Sequence, residues 1–156
     1  MRTRYFILIS IAGLVMACDE PSSTKQHQVS SESGLVERNL DSLQIQRGKT
    51  IYLANCTDCH GKKGEAKSDW RKPGADGRYP PPPLNGTAHT WHHSTEALKR
   101  TILNGGPPGD NGLPSAMPAW QGKLTEQQVD DILVWIKSLW PNEIYDAWYR
   151  NVESKQ

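Results

Sequence analysis

Residues 56–60 read Cys-Thr-Asp-Cys-His, and two thiols three residues apart with an imidazole directly after the second suit one chemistry in particular. Thiolates can add to the vinyl groups of a porphyrin while the neighbouring imidazole ligates its iron, so Cys-x-x-Cys-His is the attachment sequence of c-type haem. The spacing has a physical reason. One helical turn carries Cys56 and Cys59 on the same side, and His60 follows at once to reach the metal. Two other uses of such a pair stay open on these residues alone. A thioredoxin-like redox pair needs a βαβ setting, which the surrounding pattern does not offer, and half of a zinc site needs a second ligand pair. The expected cofactor is one covalently attached haem c.

Positioning such a site needs a scaffold, and the flanking residues predict a helical one. A first helix is expected from an Asp41 N-cap to beyond Cys56, with Ile45, Gly48 and Tyr52 on one face. After His60 a loop rich in glycine and charge runs from Gly61 to Tyr79 and ends in the prolines Pro80–Pro83, which cannot continue a helix. Its Lys62, Lys63, Lys67, Arg71, Lys72 and Arg78 outnumber Glu65, Asp69 and Asp76 by three. That surplus is either a solvated loop or a rim that steers an acidic partner. A further helix is expected with Ser94 as N-cap and Glu96 in its first turn, stopping at Gly105-Gly106. Thr125 to Trp140 is the clearest helix, opened by a Thr125/Gln128 capping box and a Leu124/Val129 staple and closed by Pro141. A last helix is expected from about Asn142 to Asn151, with Ile144 and Trp148 packing back.

These motifs, in this order, resemble the class I cytochromes c over about residues 40–140. Similar domains carry a helix entering the attachment run, a Pro-x-Leu-x-Gly segment, a Met-Pro pair and an aromatic-bearing terminal helix. Here these are 41–60, Pro82-Pro83-Leu84-Asn85-Gly86, Met117-Pro118 and 126–140. The resemblance implies an all-α fold of about four helices wrapped around one haem, with the domain at 39–156. It implies that Gly48 and Tyr52 cross closely against the terminal helix near Trp135, and that a proline carbonyl, Pro82 or Pro83, accepts the Nδ1–H of His60. It also implies that Met117 is the second axial ligand. Met117 would be the single methionine after removal of a leader carrying Met1 and Met16, and it lies on a Gly- and Pro-rich loop able to approach a metal. His89, His92 and His93 around Trp91 leave bis-histidine ligation or a second metal as alternatives, and Trp91 is expected at the haem edge.

The N-terminal residues speak to location. Arg2 and Arg4 precede an apolar stretch from Tyr5 to Ala17, too short to span a bilayer comfortably, which reads as a signal peptide at 1–17. Leu14-Val15-Met16-Ala17-Cys18 resembles a bacterial lipobox, so Cys18 is expected to be lipidated. Met16 is an unusual occupant there, and simple cleavage leaving a free thiol is the alternative. Residues 18–38 are serine-rich with little to bury and are expected to be a disordered tether with a reach of roughly 25 Å. Loss of Arg2 and Arg4 turns the formal net charge of +1 into −1, and nothing in this balance indicates nucleic acid. The expectation is one-electron transfer to and from redox protein partners in or near the membrane. The domain would be lipid-anchored in a bacterial cell envelope and would face the periplasm or exterior. A haem subunit of a larger oxidoreductase complex is one alternative, and a ligand-binding haem enzyme or sensor with a labile sixth position is the other. No triad, carboxylate pair or phosphate loop indicates catalysis by the chain itself.

Overall fold

The computed structural model describes residues 34–109 and 112–156. Its helices are α1 (Ser42–Asn55), the single turn α2 (Thr57–His60), α3 (Thr95–Asn104), α4 (Glu126–Ser138) and α5 (Asn142–Asn151), and no β-strand forms among the described residues. The expected leader, the Cys18 lipidation site and most of the tether lie outside these residues. Among the described residues no helix is long and apolar enough to cross a membrane.

Each long helix starts where its local chemistry dictates. The Asp41 carboxylate accepts from the N–H groups of Leu43 and Gln44 at 3.1 and 3.2 Å. The Ser94 hydroxyl accepts from Ala97 N–H at 3.2 Å, and Thr125 and Gln128 exchange side-chain and backbone bonds as a capping box. Each cap satisfies donors that would otherwise be orphaned, stabilising its helix by about 1 kcal/mol.

The core lies where α1 crosses α4. Gly48 is buried there with its Cα against the Asp131 carbonyl, close enough that a Cβ would collide with that backbone. Tyr52 and Trp135 pack on the same crossing with ring centroids 4.1 Å apart, and Arg47 pairs with the buried Asp131 at 2.9 Å. The Arg47 guanidinium, donating hydrogen bonds, holds the Asp131 carboxyl below its ordinary range. The apolar face of α4, Val129, Ile132, Leu133 and Ile136, is buried in this core.

Helix α5 does more than pack back. Trp148 meets Trp140 edge-on at 5.5 Å, and the helix also receives the chain's N-terminal arm. Val36 N–H donates to Asp146 at 2.8 Å, Arg150 donates to the Gly34 carbonyl at 2.6 Å, and Arg38 lies 4.7 Å over the Tyr145 ring. Residues 34–38, counted with the tether by composition, therefore lie on α5.

Candidate functional site

The attachment run sits at a break in the helix. The sequence predicts one helix through Cys56, but α1 ends at Asn55 and Cys56 adopts φ −119° before the new turn α2 begins. The break re-aims residues 57–60. It carries the buried His60 ring to Pro82, whose carbonyl oxygen is 3.0 Å from Nδ1. A carbonyl can only accept, so the proton sits on Nδ1 and the lone pair of Nε2 is free to ligate a metal. Burial lowers the His60 pKa, with the Pro82 bond opposing in part, which favours the neutral ring that metal ligation requires. The choice between Pro82 and Pro83 is explained by Thr90: its buried hydroxyl donates to the Pro83 carbonyl at 3.1 Å, leaving Pro82 for His60.

His60 lines a cavity of about 580 Å³, and Met117 lines the same cavity. Its apolar wall comes from Leu98 and Ile102 of α3 and Leu133 and Ile136 of α4. The Met117 loop is tied to the end of α3. Gly105, at φ 90°, is so close to this loop that a Cβ there would lie 3.1 Å from the Met117 carbonyl. Gly106 N–H donates to that carbonyl at 3.2 Å, and Trp120 N–H donates to Ile102 and Leu103 at 3.1 Å. The half-buried thioether is thus carried on backbone fixed at both ends.

Cys56 and Cys59 are free thiols, Cys56 half-buried and packed on the core, Cys59 exposed, and neither belongs to the cavity lining that holds His60 and Met117. Burial, with a smaller contribution from Cys59, pushes the Cys56 thiol up to about 11, which makes it a weak nucleophile once the fold has closed.

The opposite loop wall departs from expectation. Trp91 is not among the lining residues; it stacks edge-on against His92 at 4.0 Å and packs on the core. The turn His89–His92 ends at His93, whose backbone is extended, and His89, Thr90 and His93 are the residues of this stretch that line the cavity. His89 and His93 line the cavity instead, together with Arg78 and Tyr79. Among the described residues no three His, Cys, Asp or Glu side chains gather as a metal cluster. Two indoles prop this wall from behind: Trp140 Nε1–H donates to the Leu84 carbonyl at 2.8 Å and Trp148 Nε1–H to the His93 carbonyl at 3.0 Å. Sequence reasoning missed the props and the place of Tyr79, because each depends on a partner distant in the chain.

Residues 43–136 match the family described as cytochrome C oxidase, cbb3-type, subunit III. The chain belongs to this family. It is a class I mono-haem c-type cytochrome domain, and the family's cofactor is covalently bound haem c. The chain is 28% identical over 118 residues to the cbb3-type cytochrome c oxidase subunit FixP of Bradyrhizobium diazoefficiens, covering 74% of this chain and 34% of that protein. It is 31% identical over 106 residues to the gluconate 2-dehydrogenase cytochrome c subunit of Pantoea cypripedii, covering 62% of this chain and 21% of the relative. The chain thus spans about a third or less of these curated relatives. Cytochrome CL from Methylophaga aminisulfidivorans shares the fold, with a TM-score of 0.50 at 21% identity, covering 74% of this chain and 69% of that one. Helix α5 and the arm at 34–40 lie outside the matched family segment.

The cavity fits this cytochrome's cofactor on its own terms. Its volume of about 580 Å³ falls in the roughly 300–1,000 Å³ range of cofactor sites. Its walls are mostly apolar, and its lining offers an oriented imidazole nitrogen and a thioether, a donor set suited to haem iron.

Proposed function

We propose that this domain is a one-electron carrier in which Cys56 and Cys59 hold haem c through thioethers and His60 and Met117 are its axial ligands. The observation that carries this reading is that His60, oriented by Pro82, and Met117, 57 residues later in sequence, line one apolar cavity. When bound, haem supplies the one-electron change at iron. The chain does the rest: Pro82 fixes the imidazole tautomer, the α3-anchored loop presents the thioether, and Leu98, Ile102, Leu133 and Ile136 exclude water. A thioether ligand and burial both favour the reduced form and raise the potential. With both His60 and Met117 on the iron, no coordination position would be left for a substrate. Carbon monoxide added to the reduced protein should therefore leave its spectrum unchanged at neutral pH; a rapid full shift would favour the ligand-binding enzyme or sensor instead.

The relatives' names favour a second reading, in which the domain is the haem subunit of a larger oxidoreductase complex with redox protein partners. Co-purification of a stoichiometric partner in mild detergent separates that case from a free shuttle.

The same proposal places the domain in a bacterial cell envelope, at 39–156 behind a signal peptide at 1–17 and a tether from 18, with lipidated Cys18 as the membrane anchor. The apolar stretch before Cys18 and the serine-rich residues after it support this. Cys18→Ser is expected to give an exported, haem-loaded protein that moves from the membrane to the soluble fraction, since acyl chains acting together bind far more firmly than one. A Ser variant that stays with carbonate-washed membranes would show that something else anchors the protein.

A further inference from the structure

The cavity wall carries two titratable groups for which the proposed carrier has no use. His89 and His93 line the cavity and are exposed to solvent, with ring centroids 5.8 Å apart and planes at 80°. Their positions are built in. Thr90 between them is buried and bonded to the Pro83 carbonyl at 3.1 Å, and the His93 carbonyl is held by Trp148 at 3.0 Å. Both imidazoles therefore belong to the wall facing the proposed haem while remaining in reach of bulk protons.

The ionisable groups that line the cavity with them are cationic or neutral. Arg78 and Tyr79 reach the cavity from the preceding loop, His60 lies in it, and His92 sits on the same turn. Behind Trp148 lies Lys137, 4.7 Å from the indole ring and bonded to Thr95, which in turn bonds Glu153. Among the described residues no carboxylate lines the cavity to stabilise two imidazolium ions 5.8 Å apart. Burial first, then the charges of His93 and His92, lower the His89 pKa. Two imidazoles 5.8 Å apart on a wall without a carboxylate hold one proton more readily than two.

We propose that His89 and His93 form a single proton-binding site that couples the reduction potential of the bound haem to pH. This rests on the haem reading above. When one electron leaves for a redox protein partner, the charge in the cavity rises by one, an imidazole N–H bond breaks, and one proton passes to bulk water. Re-reduction takes up one electron and one proton. The sign follows: the proton binds more tightly in the reduced form, so the potential falls as pH rises from the site's pKa in the oxidised form to its higher pKa in the reduced form.

The test is an equilibrium redox titration of the haem-loaded full chain across the imidazole range, about pH 5 to 8. The redox equilibrium is expected to shift by up to tenfold per pH unit at the steepest point, a slope approaching 59 mV for one electron. The double variant His89→Gln, His93→Gln should flatten the profile. His93→Gln alone should move the midpoint to lower pH, because the proton loses one of the two rings that share it. A flat parental profile overturns the proposal, and so does an undiminished slope in the double variant, which would assign the proton to another group such as a porphyrin carboxylate. Imidazole proton resonances followed in the reduced and oxidised states should give two different midpoints; identical midpoints also overturn it. Failure of the haem reading is recognised separately, as a parental protein without covalently held haem.

Discussion

Met117→Ala is expected to abolish the sulfur-to-iron charge-transfer band of the oxidised protein and to open the reduced iron to carbon monoxide. It should also lower the potential by on the order of 0.1–0.3 V, within the roughly 0.8 V that axial ligation spans. The haem should stay covalently held, since Cys56 and Cys59 are untouched. The loop should also stay in place, because its ties to α3 run through the backbone of Gly106, Met117 and Trp120 and not through the thioether. The effects would therefore report the lost ligand and not a collapsed loop. Met117→His should restore six-coordination at a lower potential. An Ala variant that keeps both the band and the parental potential would reduce Met117 to a packing residue and turn attention to His89 and His93 as ligands.

The largest effect on stability is expected at Gly48. In an exposed helix, Gly→Ala stabilises by about 1 kcal/mol, so the sign of this substitution is itself informative. At Gly48 the added methyl would run into the Asp131 carbonyl, which is backbone and cannot rotate aside. Helices α1 and α4 would have to separate, loosening the Tyr52–Trp135 contact at 4.1 Å and the Arg47–Asp131 pair at 2.9 Å on the same crossing. Overpacking of this kind costs about 1–3 kcal/mol, and more for Gly48→Val. Thermal unfolding followed at the haem absorbance should show a fall of roughly 2–6 °C per kcal/mol. An Ala variant as stable as the parent would mean that the helices do not cross as closely as described.

What could be read from the sequence follows how locally each feature is encoded. Asp41, Ser94 and Thr125 cap helices through bonds to residues two or three positions away, so their roles are written in neighbouring letters. The Gly48/Tyr52 face and Trp135 come from the periodicity of two helices together with the order of the motifs. The break after Asn55 was not legible, because the attachment run has good helical spacing and only the distant Pro82 carbonyl gives a reason to turn. Four consecutive prolines offer equivalent carbonyls, and it took the Thr90 hydroxyl to separate Pro83 from Pro82. Trp91 was expected at the haem edge, whereas His89, Thr90 and His93 are the residues of this stretch that line the cavity. The indole bonds from Trp140 and Trp148 span 56 and 55 residues and have no local signature. The arm at 34–38 looked like linker because its attachments to Asp146, Arg150 and Tyr145 are all on the last helix.

Covalent attachment of haem through Cys56 and Cys59 is tested on the purified holoprotein by denaturation in acidic acetone. The chromophore should stay with the precipitated chain, and mass analysis should find one haem on a peptide containing residues 56–60, because thioether bonds survive the treatment. Haem passing into the organic phase, with Cys56 and Cys59 recovered as free thiols, would contradict it.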